Sequence, residues 1–150
     1  GPRTDDYVAA MRALWSQEKP TYHGEFASFD NVYCRPQPVN GSVPIIVGGH
    51  SKPAARRAGR LGDGFFPARG APAELIAIAR KSAVEHGRDP DALEITTSLP
   101  DDLDEIPELA AAGVGRLLVP VTPMAGLQTR LGTPEDVLAW RDVVEKYAET

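Results

Sequence analysis

Cysteine is almost missing from this chain: Cys34 is the only one in 150 residues. That excludes an internal disulfide framework and a cysteine-based zinc site. An excess of basic residues is missing too, since 16 Lys and Arg stand against 21 Asp and Glu, a formal charge of −5. Nucleic acid or an anionic membrane surface would call for a basic face, so neither is an expected partner. No apolar run approaches the roughly 20 residues of a membrane span. The polar opening Gly1–Asp6 does not read as a secretory leader, which makes a cytoplasmic location the expectation. Gly1-Pro2 fits a scar of tag removal as well as it fits native sequence. With 42% apolar residues the balance is that of a soluble globular domain, and the length suffices for one domain with a core. Glycine and proline, by contrast, are plentiful at 14 each. Their excess predicts short elements and many connections.

The spacing predicts one domain over residues 1–150, in three stretches. Residues 1–20 read as a helix, with Thr4-Asp5-Asp6 as its cap, Val8, Met11, Leu14 and Trp15 at helical spacing, and Lys19-Pro20 as its stop. Residues 21–42 read as an irregular hairpin or insertion, with β-prone Tyr22, Phe26, Phe29, Val32 and Tyr33 and turns at His23-Gly24 and Asp30-Asn31. Residues 43–150 alternate strand and helix. Strands are expected at 43–47, from Phe65, at 93–99 and at 116–121. Helices are expected from Ser51 to Leu61, from Pro72 to His86 (Leu75, Ile78 and Ala79 inward), from Ile106 to Ala112, and from a Thr133-Pro134-Glu135-Asp136 cap onward. Such alternation implies an α/β fold with parallel strands and right-handed crossovers. Four strands make either a small open sheet or half of a (β/α)8 barrel.

The stretch most able to carry chemistry runs from Pro44 to Phe66. Gly48-Gly49-His50-Ser51 follows a strand and precedes a helix. Glycines there let the backbone approach a ligand, and the helix start offers unpaired N–H groups and a positive dipole end. Ser51 adds a hydroxyl and Lys52 a charge, so the turn suits a phosphate group. The plainer alternative is a tight strand-to-helix turn capped by Ser51. The spacing is neither that of a P-loop nor that of the dinucleotide fingerprint.

The same stretch resembles the luciferase-like monooxygenase family, most of all its coenzyme F420-dependent branch. The likeness rests on Pro44, Ile45, Val47, Gly48 and Gly49, then Ala55-Arg56-Arg57-Ala58, then Gly62-Asp63-Gly64-Phe65. His23-Gly24-Glu25-Phe26, Arg35-Pro36-Gln37-Pro38 and Ala112–Val119 add to it, in the right order along residues 4–121. The resemblance implies the C-terminal half of a TIM-type (β/α)8 barrel, preceded by a helix and an irregular β-hairpin, with the first four strands absent. It implies an F420- or flavin-dependent oxidoreductase acting on a small-molecule substrate as monooxygenase or dehydrogenase, with coenzyme F420 the expected cofactor and FMN the alternative. The turn Gly48, Gly49, His50 and Ser51 would hold the cofactor phosphate, with Arg69 after the second strand as a further contact. No catalytic acid or base carries over from the resemblance, and no metal is expected.

Other candidates have plainer readings. His23 reads as a turn residue, His86 as a helix-end cation, and Asp63 as a turn or ion-pair residue with Arg56 or Arg57 as partner. Thr122, Met124 and Arg130 follow the fourth strand on the expected ligand face. Asp101, Asp102, Asp104 and Glu105 read as a solvated helix start rather than a metal or acid–base site. Cys34 reads as unreactive. A half-barrel leaves two strand edges and an apolar face uncovered, so a homo-oligomer through those edges is the expectation. A different class of function, a non-catalytic half-barrel module that self-associates or binds a phosphorylated ligand, is the alternative.

Overall fold

The computed structural model describes residues 1–67, 70–121 and 131–147, which fall into two compact units, Gly1–Ile45 and Ile46–Thr150. The first unit holds α1 (Pro2–Ser16) and an antiparallel pair, β1 (Tyr22–His23) and β2 (Ser28–Phe29), joined in register Tyr22↔Phe29 and His23↔Ser28. The expected cap at Thr4-Asp5-Asp6 is not used. Pro2 starts the helix, because its fixed φ suits a first turn, and Gly1 stands at the cap without a side-chain bond. Asp6 serves the hairpin instead. Its carboxylate accepts from the Tyr22 hydroxyl at 2.6 Å and from the amides of Phe26 and Ala27 at 2.8 and 2.9 Å. A side chain on Gly24 would fall on that carboxylate, which explains the glycine.

The second unit is a four-stranded parallel sheet: β3 (Ile46–Gly48), β4 (Gly64–Phe66), β5 (Glu94–Ser98) and β6 (Arg116–Leu118). Between the strands lie α2 (Lys52–Leu61), α3 (Ala73–Glu85) and α4 (Ile106–Ala111). Two short helices follow, α5 (Pro134–Leu138) and α6 (Arg141–Tyr147). The strands sit side by side in chain order, with registers Ile46↔Gly64, Phe65↔Ile95 and Thr97↔Leu117. A doubly wound sheet would reverse its order at a switch point. This one never does, which is the order of consecutive barrel strands. β3 begins three residues later than expected, since Pro44 has no N–H for a ladder. β6 likewise ends at Leu118, before Pro120. The expected single C-terminal helix is broken at Ala139–Trp140.

Alternation along the strands separates two faces. Val47, Phe65 and Ile95 point to the helices and form the core with Ala54, Ala55 and Ala58 of α2 and Leu75, Ile76 and Ala79 of α3. Ile78, expected inward, is only partly buried there, and Ile76 takes the deeper place. α2 and α3 approach closely because Gly59 has no side chain: a Cβ there would lie 2.0 Å from the Ala79 carbonyl oxygen. Ile46, Glu94, Arg116 and Leu118 belong to the face opposite α2 and α3. Glu94 pairs with Arg116 at 2.7 Å and accepts from the Thr96 hydroxyl at 3.1 Å. No helix among the described residues is long and apolar enough to cross a membrane.

Candidate functional site

Gly48, Gly49, His50 and Ser51 form one turn from the C-terminal end of β3 into α2, as the pattern predicts. The two glycines differ. Gly49 has φ of +139°, which side chains rarely tolerate, and an added Cβ would meet the Ala54 methyl at 2.9 Å. Its amide is already bonded, donating to the Phe66 carbonyl at 3.0 Å. Gly49 therefore shapes the turn and offers no donor. Gly48 is the reverse, since a Cβ there meets nothing within 4 Å among the described residues.

Ser51 caps α2, its Oγ accepting from the Ala54 amide at 3.3 Å while its carbonyl accepts from Ala55 at 3.0 Å. Pro53 has no N–H to contribute. The amides of His50, Ser51 and Lys52 have no partner among the described residues. Three consecutive donors thus meet the dipole of a ten-residue helix beside an open glycine. The Ser51 hydroxyl proton is also free to donate, since its oxygen accepts the cap bond. This donor set and the space above Gly48 fit a phosphate group.

Lys52 does not stand ready as the expected charge. Its ammonium is 2.5 Å from Glu74 Oε1, in the first turn of α3. Sequence reasoning missed Glu74. Its signal was position, since neighbouring β/α units place their first helical turns side by side. The imidazole of His50 donates from Nδ1 to the Pro67 carbonyl at 2.7 Å. The loop after β4 is held a second time by the fully buried Thr97, whose hydroxyl donates to the Gly70 carbonyl at 2.8 Å. Neither bond was foreseen, because both acceptors are backbone atoms of a loop. Arg69, Thr122, Met124 and Arg130 lie outside the described residues.

The remaining candidates have structural partners. His23 lies between Ser28 Oγ at 3.0 Å and Asp30 Oδ1 at 3.1 Å, on the exposed hairpin. His86 Nδ1 donates to the Ser82 carbonyl at 2.8 Å, at the end of α3. Asp63 pairs with Arg88 at 3.6 Å, and Arg88 also donates to the Gly59 carbonyl at 2.6 Å. Asp102 caps the 3-10 turn Leu103–Glu105 by accepting from the Asp104 amide. No cluster among the described residues has the makings of a metal site. Cys34 is half-buried.

Comparison with known proteins gives the family and the fold. The sequence model of the luciferase-like monooxygenase family matches residues 1–145. An FMNH2-dependent dimethylsulfone monooxygenase of Pseudomonas fluorescens is 33% identical over 88 residues, covering 56% of this chain and 24% of the relative. An F420-dependent glucose-6-phosphate dehydrogenase of Segniliparus rotundus is 37% identical over 89 residues, covering 58% and 26%. This chain thus aligns with about a quarter of the length of each of these relatives. Among solved structures, a monooxygenase of Streptomyces bottropensis superposes with a TM-score of 0.63 at 18% identity, covering 95% of this chain and 59% of the other. That last likeness concerns the fold alone.

Proposed function

The chain belongs to the luciferase-like monooxygenase family, and on that premise we propose that it supplies the cofactor-phosphate anchor of an F420- or reduced-flavin-dependent oxidoreductase, as the C-terminal half of the barrel. The observation that carries this reading is the run of unpartnered amides at His50, Ser51 and Lys52 beside the open face of Gly48. When bound, the cofactor supplies the redox chemistry, as hydride carrier or as the reductant of oxygen. The turn binds its phosphate away from the reacting ring, and that binding energy orients the ring toward a small-molecule substrate. Gly49 sets the path of the backbone, the three amides and the Ser51 hydroxyl donate, and Arg69 is a further contact. F420 is the first choice of cofactor and FMN the second. Relatives that depend on each are similar to this chain.

The test is a fluorescence titration of the 150-residue chain with F420 and, separately, with FMN. Saturable binding at micromolar concentration supports the anchor and ranks the two cofactors. A folded Gly48→Val variant that binds as tightly as the parent overturns the placement of the phosphate. Gly48 is the better probe than Gly49, where any side chain also strains the backbone.

A second reading, a non-catalytic module that self-associates, is favoured by the sheet. β3 and β6 each pair with one strand among the described residues, and Ile46 and Leu118, on the face opposite α2 and α3, are exposed. Unpaired edges and uncovered apolar residues invite pairing with a second copy. A monodisperse monomer at tens of micromolar by light scattering would sink it.

A further inference from the structure

We propose that the uncovered surface beside β6 receives the β3–α2 edge of a second copy, so that two chains close one eight-stranded barrel. The proposal rests on the self-association reading above and names its seam. The four strands lie side by side in chain order, so β3 and β6 are the two ends of the sheet. In a (β/α)8 barrel each helix packs over its own strand and the next, beside the helix of the next unit. α2, α3 and α4 each have a next strand, whereas α5–α6 has none among the described residues. β3 of a second copy supplies it, and four strands from each copy make eight.

The apolar residues at this end of the sheet await cover. Leu118, Val119 and Val121 at the end of β6, and Val137, Leu138 and Val144 on α5–α6, are 39–65% exposed. Val119, Leu131, Val137, Leu138 and Val144 line a hollow of about 400 Å³ to which α4 contributes no residue. The larger hollow beneath α6, of about 580 Å³, is lined by α4 through Ile106 and Leu109. The smaller one thus lies on the side of α6 away from α4, where the next strand of a barrel runs.

Charge decides which edge meets which. α2 carries Lys52, Arg56, Arg57 and Arg60 and no acidic residue. Arg56 is exposed, and its guanidinium has no partner among the described residues. α5 and α6 carry Glu135, Asp136, Asp142 and Glu145 against Arg141 and Lys146, and Lys146 is held by Asp104 at 3.5 Å. Glu145 and Arg141 border the smaller hollow, and the Glu145 carboxylate has no partner among the described residues. Pairing of like edges would set α2 against α2, or α5–α6 against its own copy, and juxtapose like charges. Pairing of β6 with β3 sets the more acidic helices beside the basic one, at both seams. Such head-to-tail contacts run on into a filament unless the ring closes, and eight strands close it at two copies.

The experiment follows the mass of the 150-residue chain by light scattering and sedimentation as its concentration rises through the micromolar range. Arg56→Glu, Glu145→Lys and Leu138→Asp are measured beside the parent, with circular dichroism to confirm that each folds. The parent is expected to reach twice the chain mass and to stop there. Each charge reversal should weaken the dimer roughly tenfold, because both seams exchange an attraction for a repulsion. An equimolar mixture of the two reversed chains should regain the parent's affinity, since a mixed dimer has one parental seam and one with both charges exchanged. Leu138→Asp should weaken the dimer roughly a hundredfold, by placing a charge in the covered hollow. A mass that grows past the dimer overturns the closed barrel and leaves self-association standing. So does a dimer that the charge reversals leave unchanged, or one that the mixture fails to restore. A chain that stays monomeric overturns the self-association reading and this proposal together, and gives the hollows to a different cover, such as the N-terminal half of a barrel.

Discussion

α2 and the pair α5–α6 are both patterned with apolar residues, yet they end differently. α2 buries Ala54, Ala55, Ala58 and Gly59. α5 and α6 bury no residue, and Val137, Leu138 and Val144 stay 58–62% exposed. The difference lies in what each helix meets. The small residues of α2 let α3 come close enough for the Ser82 hydroxyl to donate to the Arg56 carbonyl at 2.9 Å. α6 instead borders an apolar hollow of about 580 Å³, lined in part by Leu109, Leu117, Trp140 and Tyr147. α5 carries a complete capping box, with Thr133 and Asp136 bonding each other's backbone amides. Its helix is thus specified by local signals without the packing that stabilises α2. An apolar stripe becomes core only where a second surface of matching shape reaches it.

The largest effect should come from the core beneath α2 and α3. Phe65 is fully buried, so Phe65→Ala is expected to cost about 3–5 kcal/mol, a large share of the roughly 5–15 kcal/mol that holds a domain folded. Urea denaturation followed by circular dichroism measures it. A loss below about 1 kcal/mol would mean that the helix layer is not the stabilising half. Gly59→Val comes next, at about 1–3 kcal/mol, because its first carbon would strike the backbone of α3. The two caps sharpen the contrast further. Ser51→Ala should lower global stability by about 1 kcal/mol, since α2 unfolds with the core. Thr133→Ala should speed hydrogen exchange only over residues 134–138, leaving the urea midpoint where it was.

How much of this was legible follows the same division. The β/α alternation, the parallel order, the Ser51 cap and the Thr133–Asp136 box could be read, because each is a short-range pattern with its own stereochemistry. So could the turn from Gly48 to Ser51. The start of β3 was misplaced because apolar Val43 and Ile45 outweighed Pro44, whose missing N–H decides the ladder. Asp6 was read as a cap because it lies in a first turn, while its true partners, Phe26 and Ala27, are 20 and 21 residues away. Lys52 was read as free charge because nothing local reveals Glu74. Long-range polar pairing leaves no periodicity in the sequence, so it stayed hidden.

Within the first unit, pH should act on Asp6 before it acts on the sheet. The Tyr22 hydroxyl, then the amides of Phe26 and Ala27, hold the Asp6 carboxyl below the ordinary Asp range, against the opposing effect of burial. A depressed native pKa means that the clamp's contribution is complete above the unfolded value of about 3.9. It is lost as the pH falls below that value and through the native one. Tyr22 ring resonances should therefore shift below pH 4 while the amides of β4 and β5 remain protected. In Asp6→Asn the Tyr22 shift should be present already at neutral pH. An unchanged Tyr22 signal from pH 6 to pH 3 would show that the carboxylate does not hold the hairpin.

The smallest effect is expected where the comparison began. Val144 is 62% exposed, so Val144→Ala removes little buried surface and should move the urea midpoint by less than about 0.5 kcal/mol. A loss of 1–2 kcal/mol would be the more instructive result. Truncating an exposed valine can cost that much only if its methyls are covered in solution, and nothing among the described residues covers them. Repeating the measurement over a tenfold range of protein concentration separates the sources of such cover. A concentration-dependent loss assigns it to a second copy, because mass action then links stability to association. A concentration-independent loss assigns it to closure of the hollow beneath α6 within one chain, which would make α6 a packed helix like α2.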